Sequence, residues 1–121
     1  MKEVVSHEPA LCTRFHHAAE LIGRRWNGAI IYLLLQRTCR FAILRDAIPG
    51  ITDRMLSERL QELEAEGLVD RTVFPDTPVR VEYSLTKKGK TLAEVFETIG
   101  KWAEKHVPLP DAKPKPRRAS R

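Results

Sequence analysis

Pro49-Gly50-Ile51-Thr52-Asp53-Arg54-Met55-Leu56-Ser57-Glu58-Arg59-Leu60-Gln61-Glu62-Leu63-Glu64 is the stretch whose reading decides the fold. A Pro-Gly turn precedes a helix that starts at Thr52. The Thr52 hydroxyl can accept a hydrogen bond from an early backbone N–H, and Asp53 suits the positive end of the helix dipole. Ile51 and Leu56 flank the cap at the spacing of a hydrophobic staple, which sets the angle at which the chain enters the helix. Leu56, Leu60 and Leu63 recur at helical spacing and mark a buried stripe, with Met55 and Arg59 at its margin. Asp53, Arg54, Ser57, Glu58 and Gln61 are left facing outward. Guanidinium, hydroxyl and amide groups near a helix N-terminus are what base edges in a major groove require. On this stretch alone, a solvated surface helix is the simpler account.

The residues that follow change the balance. Glu66-Gly67 stops the helix, and Leu68 to Phe74 reads as a strand rich in β-branched residues. Pro75-Asp76-Thr77-Pro78 is turn chemistry, after which Val79, Val81, Tyr83 and Leu85 alternate with Arg80, Glu82 and Ser84 as in a half-buried strand. A short helix from about Phe41 to Ala47, with Phe41, Leu44 and Ile48 inward, supplies the first half of a helix-turn-helix. Helix, turn, helix, hairpin is the order of a winged helix. From about Cys12 to His106 the chain resembles the HxlR family of bacterial winged-helix transcriptional regulators, relatives of the MarR group. The resemblance is carried by Leu21-Ile22-Gly23-Arg24-Arg25-Trp26, Arg40-Phe41 with Leu44-Arg45, Ile48-Pro49-Gly50-Ile51, Arg54-Met55-Leu56 with Arg59-Leu60, Leu63-Glu64 with Gly67-Leu68-Val69, and Pro78 to Thr86 with Gly89. The expected fold is mainly α with a small β-hairpin: a winged helix-turn-helix with added N- and C-terminal dimerisation helices.

A chain of 121 residues supports one domain. The organisation expected is a loose arm over 1–10, the winged helix over 11–107 and a disordered basic tail over 108–121. The longest apolar run, Ala29 to Leu35, falls far short of the ~20 residues that span a bilayer, and no signal-peptide pattern opens the chain. A cytoplasmic protein with no membrane partner is expected, with Cys12 and Cys39 as thiols. Of the net charge of +5, +4 lies after Pro110, where Lys113, Lys115, Arg117, Arg118 and Arg121 stand against Asp111. Basicity therefore says little about the folded body, whose case for nucleic acid is architectural.

A first helix begins near Leu11, carries Phe15, Ala18, Ala19 and Ile22 on one stripe and ends at Gly23. A second, from Arg24 to Gln36, is apolar on most sides, with Trp26 in the core. Thr86 caps a last helix running to about Val107. Its Leu92, Val95, Phe96, Ile99, Trp102, Ala103 and His106 keep a three-four alternation over several turns. The wing and short helices cannot cover that stripe. Phe15, Leu92, Val95, Phe96, Ile99 and Trp102 are therefore candidate dimer contacts, and the resemblance implies the same, against an intramolecular core helix as the plainer account.

No constellation looks catalytic: no glycine-rich phosphate loop exists and the carboxylates are scattered among basic residues. Cys12, His16, His17 and His106 make a poor metal set, so neither metal nor other cofactor is expected. Arg54 and Ser57 are the candidate base contacts, followed by Thr52 and Gln61. Arg45 and Arg59 are candidate phosphate contacts, and Arg80 stands in the wing. Each has a surface alternative. Asp53 and Glu58 depart from the family in placing carboxylates on the reading face, as does Ile43, which replaces a polar residue. The leading reading is a homodimeric repressor on a pseudo-palindromic double-stranded DNA operator. Its rival is a winged-helix module that binds protein through the same surface. Cys12, at the start of the first helix with Arg14, His16 and His17 nearby, is a candidate thiol switch, because some regulators the chain resembles use a cysteine near this point. Thr13 stands where the family usually has proline, and an inert thiol is the plainer account. A small molecule in the dimer interface is the other candidate signal.

Overall fold

The structure, a computed structural model, describes residues 8–110, so most of the expected arm and tail lies outside the described residues. The element order is α1 (Thr13–Gly23), α2 (Asn27–Gln36), β1 (Cys39–Arg40), α3 (Phe41–Ala47), α4 (Asp53–Ala65), β2 (Val69–Phe74), β3 (Arg80–Leu85), α5 (Lys87–Lys90) and α6 (Ala93–His106). The chain divides into two compact units, Met1–Lys90 and Thr91–Arg121.

The first unit is a winged helix-turn-helix. Its three-stranded antiparallel sheet has the order β1-β3-β2, and β2 and β3 form the hairpin of the wing. The two-residue β1 was not legible from periodicity. It exists because Cys39 and Arg40 pair with Tyr83 and Glu82 of β3. Ile30, Ile31, Leu34, Leu44, Leu56, Leu60, Leu63, Val69, Tyr83 and Leu85 make the core, so α2, α3 and α4 close over one face of the sheet. Val79, read from the sequence as an inward strand residue, is exposed. Val79 falls in the loop just before β3, where strand alternation does not yet apply.

The start of α2 differs from expectation. Trp26 adopts a left-handed conformation with φ 79°, so helix cannot run through it, and α2 starts at Asn27 rather than Arg24. The Arg25 carbonyl, which would otherwise serve a helical bond, accepts from Arg59 Nε at 3.0 Å. Trp26 is correspondingly half-buried rather than a core residue, with the Arg25 guanidinium 4.4 Å over its ring. Asn27 takes the buried place instead, donating from Nδ2 to the Leu21 carbonyl at 2.9 Å.

The expected last helix is in fact two. Thr86 caps α5, its Oγ1 accepting from Gly89 N at 2.9 Å and donating to the Gly67 carbonyl at 2.7 Å. Helix then breaks at Thr91–Leu92 before α6 begins. A glycine and a length of four residues make Lys87 to Lys90 a weak helix on its own. Gly89 backs directly onto the Leu68 carbonyl, which a Cβ would strike, so α5 is pinned where it is. In the second unit α6 buries none of its residues, and Val95, Ile99 and Trp102 are exposed along it.

Candidate nucleic-acid interface

The turn and both ends of α4 are specified locally. Pro49-Gly50 closes with the Ile51 N–H donating to the Ile48 carbonyl at 3.3 Å, and Gly50 at φ 86° takes the position that demands a positive φ in a type II turn. Thr52 Oγ1 then accepts from Met55 N at 3.1 Å, the expected cap. Ile51 and Leu56, the staple pair, are both buried. At the other end Gly67, with φ 79°, receives the chain into a Schellman motif, with Leu68 N–H to the Leu63 carbonyl at 3.0 Å and Gly67 N–H to Glu64 at 2.9 Å. A helix fastened at both termini presents its outer face in one orientation.

On that face Arg54 is outermost, its side chain 85% exposed, with Ser57, Glu58 and Gln61 on the same side at helical spacing and Thr52 exposed at the cap. The carboxylates that looked foreign to a reading face have definite partners. Glu58 receives Arg54 Nε at 3.3 Å, and Asp53 receives Arg45 Nη1 at 3.5 Å. Arg45 also bonds Asp46 at 3.3 Å. Asp46, and after it Asp53, pushes the Arg45 pKa still further up. An exposed pair such as Arg54–Glu58 is worth only ~0.3–0.5 kcal/mol. A bidentate contact to guanine yields ~1–3 kcal/mol of discrimination, so a base edge can take Arg54 from Glu58.

Other candidates are placed differently from expectation. Arg59 does not lie at the margin of the stripe: its side chain is 8% exposed, and besides gripping the Arg25 carbonyl it meets Glu62 at 3.4 Å. Its contacts join α4 to the turn before α2. Glu62, which periodicity did not single out, also takes Arg24 Nε at 2.9 Å, and His17 meets Glu66 at 2.9 Å. Together these bonds tie α1 and the turn after it to the back of α4. Arg80 is held within the wing by Asp76 at 3.3 Å and Glu82 at 3.0 Å, with its guanidinium 4.1 Å over the Phe74 ring. All three contacts lie within the hairpin itself. By contrast, Arg37 and Arg40, which flank the turn into α3, are exposed and make no ion pair among the described residues. Which arginines are engaged is a property of the fold, and no spacing in the sequence reports it.

The cysteines also separate. Cys12 is exposed at the N-cap of α1, whereas Cys39 is buried in β1 with its Sγ 3.4 Å from the Arg37 carbonyl. Burial pushes the Cys39 thiol pKa up, against a smaller opposing pull from Arg37. No three His, Cys, Asp or Glu side chains gather as a metal set among the described residues. No described helix is long and apolar enough to cross a membrane.

Comparison with known proteins agrees with this geometry. The family model for HxlR-like helix-turn-helix proteins matches residues 21–111. The uncharacterized HTH-type transcriptional regulator YvaP of Bacillus subtilis (strain 168) is 46% identical over 101 residues, 84% of this chain and 94% of that protein. The HTH-type transcriptional regulator YodB of the same organism is 45% identical over 94 residues, 78% of this chain and 84% of that one. Among solved structures, the reduced form of YodB superposes with a TM-score of 0.73 at 42% identity, covering 84% of this chain and 100% of that chain. YodB has also been solved after diamide treatment and with quinone bound. With its two-ended α4, its three-stranded wing and relatives named as regulators of transcription, the chain belongs to the HxlR-like helix-turn-helix family, whose members are DNA-binding regulators and not enzymes.

Proposed function

We propose that the protein is a cytoplasmic, homodimeric repressor that places the α4 of each protomer in successive major grooves of a pseudo-palindromic operator. The observation that carries this reading is the outer face of α4. Arg54 and Gln61, with Thr52 at the cap, stand exposed and Ser57 half-buried beside them on a helix whose opposite side is locked by Leu56, Leu60 and Leu63. Two-fold symmetry in the protein imposes two-fold symmetry on its site, with half-sites ~10 base pairs or a multiple apart. Dimerisation is supported by apolar side chains that nothing among the described residues covers: Phe15 on α1 is 64% exposed and Trp102 on α6 is 60% exposed. The exposed hydrophobic stripe of α6 fits a second copy of the chain better than it fits solvent.

The test is a mobility shift and footprint on DNA flanking the protein's own coding region. A symmetric footprint is expected, and Arg54→Ala should relax base preference at one position per half-site at a cost of ~1–3 kcal/mol. Protection of one unrepeated site by a monomer would refute the arrangement.

Release from DNA is read as redox-controlled through Cys12. It is the exposed thiol, it stands at a helix start, and YodB has been solved reduced and after diamide treatment. Diamide oxidises two thiols to a disulfide as it is itself reduced to the hydrazine, so paired Cys12 residues of a dimer are the simplest product. Diamide is expected to release wild type and Cys39→Ser from the operator and to leave Cys12→Ser bound. Equal sensitivity of Cys12→Ser and wild type would transfer the signal to a small molecule at the dimer interface.

A further inference from the structure

We infer that Arg37 and Arg40 form a phosphate-binding site for the duplex backbone, set between the helix-turn-helix and the wing; the inference rests on the DNA-binding reading above and names which side chains supply its electrostatic anchor. Paired residues of an antiparallel ladder point to the same face, so the register Arg40↔Glu82↔Thr72 puts Arg40 and Glu82 side by side on the face of the sheet away from the core. Neighbours of opposite charge in that register would ordinarily pair. Here they do not: Glu82 Oε2 meets Arg80 Nη1 at 3.0 Å, and no ion pair joins Glu82 to Arg40. Arg40 is left exposed and without a carboxylate among the described residues, and so is Arg37. Arg37, Thr38, Arg40, Ile43 and Glu82 line one open hollow of about 470 Å³, wide enough for a phosphate group.

The hollow is also placed to work with α4. Arg40 precedes the first residue of α3, and Arg45 on the same helix touches Asp53 at the N-terminus of α4. The hollow is thus joined through α3 to the N-terminus of the helix that carries the proposed base contacts. The arginines expected from sequence spacing to hold phosphate are compensated by Asp46, Asp53, Asp76, Glu62 and Glu82, whereas this pair meets no carboxylate among the described residues. Guanidinium forks match phosphate oxygens bidentately, and contact with the backbone carries no sequence information.

The experiment is a titration of full-length protein with operator DNA and with a scrambled duplex over a range of salt, for wild type, Arg37→Ala, Arg40→Ala, the double alanine variant and the double lysine variant. Each alanine is expected to weaken both duplexes alike and to flatten the slope of log affinity against log salt by ~1 per half-site. The double alanine should flatten it by about twice as much, and the double lysine should keep most of the wild-type slope because it keeps the charge. Thermal melts identify any variant that fails to fold, and the lysine variant reports on the site without removing its charge. An unchanged slope in folded alanine variants, or loss of the slope in the double lysine variant, overturns the site while leaving DNA binding standing. Absence of salt-dependent binding by wild type overturns both.

Discussion

Arg54, Arg59 and Arg80 look alike in the sequence and do different work in the fold. Arg54 is exposed and lightly held, Arg59 is buried against a backbone carbonyl, and Arg80 is clasped by its own hairpin. Removing Arg59 leaves the Arg25 carbonyl short of a donor and frees the turn that starts α2. Hydrogen bonds to charged groups are worth ~1.5–3 kcal/mol, so Arg59→Ala should lower unfolding stability by about that much. Its effect on DNA should arise from lost stability alone, with an unchanged salt slope at temperatures where the variant is folded. Urea denaturation beside the binding titration checks both. A stable Arg59→Ala with a flattened slope would restore Arg59 to the phosphate contacts.

Among the elements, α5 is four residues long and could not hold together unaided. It survives because Thr86 bonds at both ends of its hydroxyl and because Gly89 lets the helix lie directly against the Leu68 carbonyl. Gly89→Ala would put a methyl group into that backbone oxygen and also within 3.1 Å of Leu85 Cδ2, where neither the strand nor the helix has room to give. Overpacking of this kind costs ~1–3 kcal/mol. The substitution should therefore destabilise the protein although alanine is intrinsically the better helix former, a sign that distinguishes contact from propensity. An increase in melting temperature for Gly89→Ala would show that the contact relaxes freely.

For the molecule as a whole, the proposed assembly predicts that the specific affinity of one protomer's α4 is multiplied by its partner's. Ile99 and Trp102 on α6 are exposed and apolar, and a carboxylate introduced there would be unpaired in any interface. Trp102→Glu is expected to sediment as a monomer at concentrations where wild type is a dimer. It should lose about a hundredfold in operator affinity, since the second half-site no longer binds at high effective concentration. Its circular dichroism should stay helical. A Trp102→Glu protein that remained dimeric and bound normally would place the interface elsewhere.

Local chemistry determined much of this protein. The α4 cap at Thr52, the stop at Gly67, the strands of the wing and the buried leucines follow from propensities and periods that act over a few residues, and they were legible for that reason. Tertiary structure decided what those rules do not contain. It decided that Trp26 leaves the helix so that Arg59 can take a carbonyl, and that the last helix breaks at Thr91–Leu92, after α5 is pinned by Gly89 against Leu68. It also decided that Asp53 and Glu58 answer arginines while Arg37 and Arg40 meet no carboxylate among the described residues. Charge is written in the sequence, but pairing depends on distances between residues far apart in the chain, and only the folded backbone sets those.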